Sequence, residues 1–198
     1  MVDELLIKYP GAKITISNNG FTPYPGMPEN VIQIDRFPKL ESRIAQLEFF
    51  IVLLFKGKFA LTKEARKFIR ALKEADVVLH APGGPSIGDT YFKAEKLYLW
   101  RLNLIRRMGI PYIFYAPSMG PFNCASRNKL RKEVISGAER IILRDPISVK
   151  YVKDFLPGVE VEQALDSALQ HDIDIDKNER KYNNYPELKN LLRTTKNV

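Results

Sequence analysis

Three short runs of consecutive apolar residues constrain the fold of this chain most strongly. They are VVL (77–79), YIF (112–114) and IIL (141–143), and segments with helical spacing separate them. Strands that are apolar on consecutive residues are typical of a parallel sheet that is covered on both faces. The intervening helices would supply the crossovers between parallel strands. We therefore predict an α/β fold, a doubly wound and mostly parallel sheet with helices on both faces.

Local signals place the helices around these strands. Thr62 should cap a helix whose apolar stripe begins at Ala65, and Gly109 should end a long helix that starts near residue 91. Asp145 followed by Pro146 indicates another helix start, because proline fits the first helical position. Helical segments are also predicted at 41–55 and 126–137. We expect one domain at 1–169, followed by a polar linker or C-terminal helix at 170–198.

Composition excludes several classes of protein. The net charge is +8 among 198 residues, but the basic side chains lie along helix faces without interleaved aromatics, so we do not predict nucleic-acid binding. Cys124 is the sole cysteine, which leaves no pair for a disulfide. The N-terminal residues lack a signal-peptide pattern, and we expect a cytoplasmic protein. The apolar helix at 44–55 should be mostly buried, with contact to a partner or to the inner face of a membrane as the alternative.

Polar and glycine residues gather where the predicted strands end. In an open parallel sheet, ligands bind outside the carboxyl ends of the strands. Glycines there let backbone N–H groups approach a ligand, and a following helix favours an anionic group at its N-terminus. The candidate substrate-binding residues are Gly83, Gly84, Ser86, Ser118, Gly120, Arg144 and Asp166.

Two residues at this edge could move protons. Asp89 is the first choice for a catalytic base and His80 is the second, since an imidazole titrates near neutral pH. Each has a structural alternative: Asp89 could cap the long helix, and His80 could be a hydrogen-bonded residue at the end of a buried strand. Arg144 could clamp an anion, or pair with Asp145. The acidic run HDIDID (171–176) lacks the pattern of a calcium loop, and we predict no metal site.

Four motifs in order resemble the polysaccharide pyruvyl transferase family. They are a glycine-rich loop (APGGPSIGD), a strand ending in a turn (APSMGPF), an Arg-Asp segment leading into a helix (LRDPISVKYV), and a small-residue segment (LDSAL). The resemblance implies transfer of the pyruvyl group of phosphoenolpyruvate to a sugar, forming a ketal on two hydroxyls. It also implies the Rossmann-like half of a two-domain GT-B-type fold. The implied partners are phosphoenolpyruvate as donor and a carbohydrate acceptor, as in exopolysaccharide synthesis, with no cofactor.

Members of that family begin with a strand, whereas this sequence begins in the helical pattern VDELLIKY. We therefore expect a gap in the sheet between the strands at 13–17 and 76–80. Three explanations stay open: a fragment, a degenerate paralogue, or a chain that completes itself by pairing with another copy. Two functional alternatives also stay open, namely a non-catalytic sugar- or anion-binding domain and a glycosyltransferase-like protein that uses a nucleotide sugar.

Overall fold

The computed structural model describes residues 2–18, 27–37, 43–81 and 85–166. The α-helices of these ranges are α1 (Val2–Lys8), α2 (Arg43–Leu54), α3 (Lys63–Lys73), α4 (Phe92–Met108), α5 (Ala125–Ser136) and α6 (Pro146–Phe155). The strands are β1 (Ile14–Asn18), β2 (Val31–Asp35), β3 (Val78–His80), β4 (Pro85–Ile87), β5 (Tyr112–Tyr115), β6 (Ser118–Met119), β7 (Arg140–Leu143) and β8 (Glu162–Gln163). Gly83, Gly84, the run at 171–176 and the predicted second segment at 170–198 lie outside the described residues, so the domain boundary stays a prediction.

The largest sheet has four parallel strands in the order β3-β5-β7-β8. The predicted runs VVL, YIF and IIL supply its first three strands, and each pair is joined through a helix. The predicted fold class is confirmed: the chain has an α/β architecture with a mostly parallel sheet flanked by helices. Because all four strands point the same way, their carboxyl ends share one edge, where the motifs of the sequence follow.

Strands β1 and β2 form a second parallel pair, which is not hydrogen-bonded to this sheet within the described residues. Within the described residues, β1 pairs with β2 and β3 pairs with β5, but β1 and β3 do not pair with each other. The sheet is therefore interrupted between β1 and β3, where the sequence predicted a gap.

The local helix signals act as predicted. The Thr62 hydroxyl accepts the backbone N–H of Ala65 at 3.2 Å, and Gly109 ends α4 in the left-handed conformation with φ of 76°. Asp145 accepts the N–H of Ser148 at 2.7 Å, and Pro146 occupies the first turn of α6. These interactions satisfy backbone groups that a helix end leaves without partners.

The apolar core lies between the four-stranded sheet and helices α2 to α6. Phe114 of β5, Leu143 of β7 and Leu104 of α4 are fully buried in it. Helix α2 contributes Phe49, whose ring stacks on Trp100 of α4 at 5.1 Å between centroids. Across the described residues, no helix combines the length and the apolar composition that a membrane span requires.

Candidate functional site

Side chains at the carboxyl ends of β5, β7 and β8 converge on the guanidinium of Arg144. Its Nε donates to the Ser118 hydroxyl at 2.9 Å, and its Nη1 donates to Asp166 Oδ2 at 2.7 Å. The Arg144 and Asp166 side chains are 23% and 37% exposed, so the pair lies at the protein surface. Three of the predicted site residues are therefore in direct contact, and a cation is held at the edge of the sheet where ligands bind.

Asp145 connects this cluster to the start of α6. The Ser118 hydroxyl donates to Asp145 Oδ2 at 2.9 Å, and the Ser148 hydroxyl donates to the same oxygen at 2.8 Å. Burial on its own would raise the pKa of Asp145, but the hydrogen bonds from Ser148 and Ser118 and the charge of Arg144 lower it. Asp145 thus stays ionised at neutral pH, and it fixes the position of the hydroxyl that receives Arg144.

The segments after β3 and β5 pair with each other as a short parallel ladder, β4-β6. The sequence predicted loops at both positions. Gly120 has φ of 88° and donates its N–H to the Ile87 carbonyl at 2.7 Å. A Cβ built on Gly88 would lie 2.4 Å from the Gly120 carbonyl oxygen, so the two backbones approach to a distance that only glycine allows. The peptide bond between Gly120 and Pro121 is cis.

His80 and Ser86, which flank the glycine-rich loop, bind each other. His80 Nε2 lies 2.6 Å from the Ser86 hydroxyl, and the imidazole packs edge-on against the rings of Tyr98 and Phe114. Burial, together with the positive charge of Arg101, lowers the pKa of His80 from 6.5 to about 3. The imidazole is therefore neutral at physiological pH, and it can accept or share a hydrogen bond there.

Asp89 lies in a short 3-10 turn (Asp89–Tyr91) and does not cap α4. Its Oδ2 instead accepts the backbone N–H groups of Asn123 and Cys124, at 2.6 and 3.2 Å, just before α5 begins. Its Oδ1 pairs with Arg131 Nη2 at 2.7 Å. Burial on its own would raise the pKa of Asp89, but the hydrogen bonds from Arg131 and the two backbone groups lower it. Asp89 is thus an ionised carboxylate that also holds the start of α5.

Beneath Asp89 lies a buried ion pair that the sequence prediction missed. Arg131 of α5 and Glu95 of α4 have no exposed side-chain surface, and two hydrogen bonds of 2.7 and 3.0 Å join them. Glu95 also accepts the Gly88 N–H at 2.9 Å and pairs with Arg127 at 2.7 Å. This pair connects the segment that carries Asp89 to helices α4 and α5.

A signal for this ion pair was present in the helical spacing. Glu95 precedes Leu99 and Leu102 on the buried face of α4, and Arg131 precedes Val134 and Ile135 on that of α5. A charged residue at an apolar position of a helix indicates a buried ion pair or a functional group. Within the described residues, no cluster of His, Cys, Asp or Glu has the arrangement of a metal site.

A parallel α/β sheet with a held cation and carboxylates at its carboxyl edge defines a Rossmann-like domain with one ligand-binding edge. The family model for polysaccharide pyruvyl transferase matches residues 7–196. The chain belongs to the polysaccharide pyruvyl transferase family, as its motifs predicted. No curated protein and no solved structure matched it.

Proposed function

We propose that this chain takes part in transferring the pyruvyl group of phosphoenolpyruvate to two hydroxyls of a sugar. The observation that carries the proposal is the convergence of Ser118, Arg144 and Asp166 at the carboxyl ends of three parallel strands. Membership of a family of transferases with a carbohydrate acceptor supports it. An anionic donor needs such a cation at the ligand-binding edge.

The reaction places three chemical demands on its site. The methylene carbon of the donor takes a proton, two hydroxyl oxygens of the sugar bond to the adjacent carbon, and the bond from that carbon to the phosphate oxygen breaks. The two sugar hydroxyls together release two protons. One proton is matched by the proton that the methylene carbon gains as it becomes a methyl group, and the other leaves with the phosphate. The site must therefore hold an anion, accept a proton from a hydroxyl and supply one to carbon.

We assign Arg144 to the anion. Hydrogen bonds to Ser118 and Asp166 on two sides fix the plane of its guanidinium, which reduces the entropy lost when an anion binds. Asp89 is the proposed base, because its carboxylate is ionised at neutral pH and 23% exposed, although the contacts that lower its pKa also weaken it as a base. His80 is the second choice, because its Nε2 already binds the Ser86 hydroxyl and its pKa of about 3 makes it a weak base as well.

Phosphate release from phosphoenolpyruvate, measured with and without a panel of sugars, tests the proposal. We expect release that depends on a sugar and falls about a hundredfold in Arg144→Gln, because an electrostatic contact to the reacting anion is lost. The matched control is Arg140→Gln. Arg140 begins the same strand at its opposite end and pairs with Glu162 at the surface, so this variant should keep full activity.

Two outcomes would reject the pyruvyl transferase proposal for this chain. Saturable binding of a glycan without turnover would indicate a non-catalytic carbohydrate-binding domain. Binding of a nucleotide sugar in a calorimeter, without binding of phosphoenolpyruvate, would indicate a glycosyltransferase-like protein. Asp89→Asn compared with His80→Gln then separates the two assigned bases, because only the true base should remove turnover while leaving donor binding intact.

A further inference from the structure

A second concentration of positive charge lies at the carboxyl ends of β2 and β3. Arg36 directly follows β2, and the carbonyl of the next residue, Phe37, accepts a hydrogen bond from Arg101 Nε at 2.6 Å. This bond brings the Arg101 guanidinium of α4 close to Arg36. His80, which ends β3, is near enough for Arg101 to affect its titration. Arg36 and His80 thus lie at the carboxyl ends of parallel strands, where ligands bind in such folds.

The Arg101 guanidinium is only partly satisfied by the residues that the structure describes. Arg101 Nη2 is buried and has no hydrogen-bond partner. Neither Arg36 nor Arg101 forms a salt bridge with any carboxylate in the part of the chain that the structure describes. Burial and the charge of Arg36 lower the pKa of Arg101 to about 9.

Buried guanidinium groups are normally paired, because leaving an N–H donor without an acceptor costs free energy. Arg101 Nη2 is such a donor, and the half-buried Arg36 adds a second positive charge beside it. Since neither group forms a salt bridge among the described residues, this place favours a ligand that supplies negative charge. We propose that Arg36 and Arg101 bind a carboxylate or phosphate group of a ligand. Guanidinium groups suit both, because their N–H groups match the geometry of paired oxygens.

Calorimetric titration of the whole chain with inorganic phosphate, and separately with pyruvate, tests this site and shows which anion it takes. We expect at least one to bind, with the dissociation constant raised about tenfold or more in both Arg36→Gln and Arg101→Gln. The control is Arg66→Gln, which removes an exposed charge from α3 and should leave binding unchanged. Circular dichroism shows whether Arg101→Gln folds. If it does not fold, the dissociation constant of Arg36→Gln alone tests the site.

Unchanged binding in the Arg36 and Arg101 variants would overturn the proposal, as would an equal loss in Arg66→Gln, which would show general attraction to a basic protein. Binding of neither anion to the wild-type chain would overturn it as well. The test does not depend on turnover. A chain that binds phosphate through Arg101 but never releases it from phosphoenolpyruvate would reject the proposed function and retain this site.

A different observation supports a second inference, about the outer surface of α2. We define the apolar stripe as the exposed residues on and after this helix. Their exposed fractions are 44% to 64%, and the residues are Leu47, Phe50, Leu54, Phe55, Phe59 and Leu61. The opposite face of α2 places Phe49 and Val52 in the core. Among the described residues, α2 is therefore apolar on both sides, with one side buried and the other exposed.

The charges around the apolar stripe favour one kind of partner. Exposed basic residues flank it in the sequence, at Arg43, Lys56, Lys58 and Lys63. Glu48, the single acidic residue between Arg43 and Lys63, is 3% exposed and accepts hydrogen bonds from Leu61 and Thr62. Exposed Glu64 follows Lys63, but the exposed charges near the apolar stripe are mostly basic. An apolar strip with such a border matches the surface of an anionic lipid bilayer, where acyl chains meet negative headgroups. We infer that the apolar stripe binds such a surface.

Flotation with lipid vesicles tests this inference. We expect the chain to bind phosphatidylcholine vesicles that contain phosphatidylglycerol, and to bind pure phosphatidylcholine about tenfold less or weaker still. Phe50→Ser/Leu54→Ser and Lys56→Gln/Lys58→Gln should each reduce binding about tenfold or more. The control is Ile7→Ser, which removes an apolar side chain that is 80% exposed elsewhere and should have no effect.

Equal binding to both kinds of vesicle, or full binding by the Phe50→Ser/Leu54→Ser variant, would overturn the lipid assignment. The same holds if the wild-type chain binds no vesicles and elutes as a dimer that this variant makes monomeric. That result would assign the apolar stripe to a second copy of the chain.

Discussion

Replacing Glu95 with glutamine tests whether the buried ion pair supports the candidate site. Glu95 has no exposed surface, and its two oxygens accept four hydrogen bonds. These come from Gly88 N at 2.9 Å, Arg131 Nε at 2.7 Å, Arg131 Nη2 at 3.0 Å and Arg127 Nη1 at 2.7 Å. Glu95→Gln keeps the shape of the side chain, but it removes the charge and points an amide donor at other donors.

The size of the effect follows from these contacts. Breaking a buried pair by removing one partner costs about 3–5 kcal/mol, because the remaining charge is left uncompensated. Arg131 keeps its second partner, Asp89, so we expect the lower end, about 3 kcal/mol of the free energy of unfolding. The control is Glu133→Gln. Glu133 pairs with Arg106 where the two side chains are 40% and 33% exposed, and its loss should cost less than about 1 kcal/mol.

Urea unfolding followed by circular dichroism measures both variants. A double-mutant cycle of Glu95→Gln with Arg131→Met should give a coupling energy of at least about 1.5 kcal/mol, because the two side chains are in contact. A loss below about 1 kcal/mol in Glu95→Gln, or one equal to that of Glu133→Gln, would refute the reasoning. The pair would then add little to the stability of the folded chain.

Three further predictions concern stability. His80 binds a proton near pH 6.5 when unfolded but only at about 3 when folded, so between these values the unfolded state holds more protons. Stability should therefore fall by about 1.4 kcal/mol for each pH unit below 6.5, and urea titrations of His80→Gln should lack that contribution. Gly120→Ala would place a Cβ 2.6 Å from the Tyr151 ring at a positive φ, and should cost at least about 2 kcal/mol in urea unfolding. Gly158→Ala, also at positive φ but in open space, should cost about 1 kcal/mol, and equal losses would contradict the steric argument. Ser148→Ala would leave the Met119 N–H without its acceptor at 2.8 Å and should lower the thermal midpoint, with a cost of about 1–3 kcal/mol, whereas an unchanged midpoint would contradict this account.

Features that depend on neighbouring residues were predictable from the sequence. Thr62 caps α3 because the backbone N–H three residues ahead needs an acceptor, and Asp145 caps α6 in the same way. The three buried strand runs predicted a mostly parallel sheet, because consecutive apolar residues are typical of strands covered on both faces. The sequence also predicted that Ser118, Arg144 and Asp166 lie at the same edge of the sheet. The carboxyl ends of parallel strands meet at one edge, and the length of the connecting loops does not change this.

Features that depend on distant partners were not predictable in this way. The β4-β6 ladder joins two segments that each look like turns, since glycines and prolines surround them. Asp89 precedes α4 in the sequence and so suggested its cap, but its partners belong to the start of α5. Arg131 of α5, which lies far along the chain, also pairs with Asp89. A local pattern identifies a capping residue without identifying the helix that it caps.

The same contacts that hold the Asp89 carboxylate in place also affect its strength as the proposed base. Arg131 lowers the pKa of Asp89, so it keeps the carboxylate ionised but also makes it a weaker base. Glu95 offsets that effect by pairing with the same guanidinium, because a shared Arg131 is less positive toward Asp89 than an unshared one would be. We therefore expect the buried Glu95 carboxylate to raise the proton affinity of the proposed base through Arg131. On this argument, a change at Glu95 alters the pH dependence of turnover as well as stability, moving the acid limb of the rate profile to lower pH.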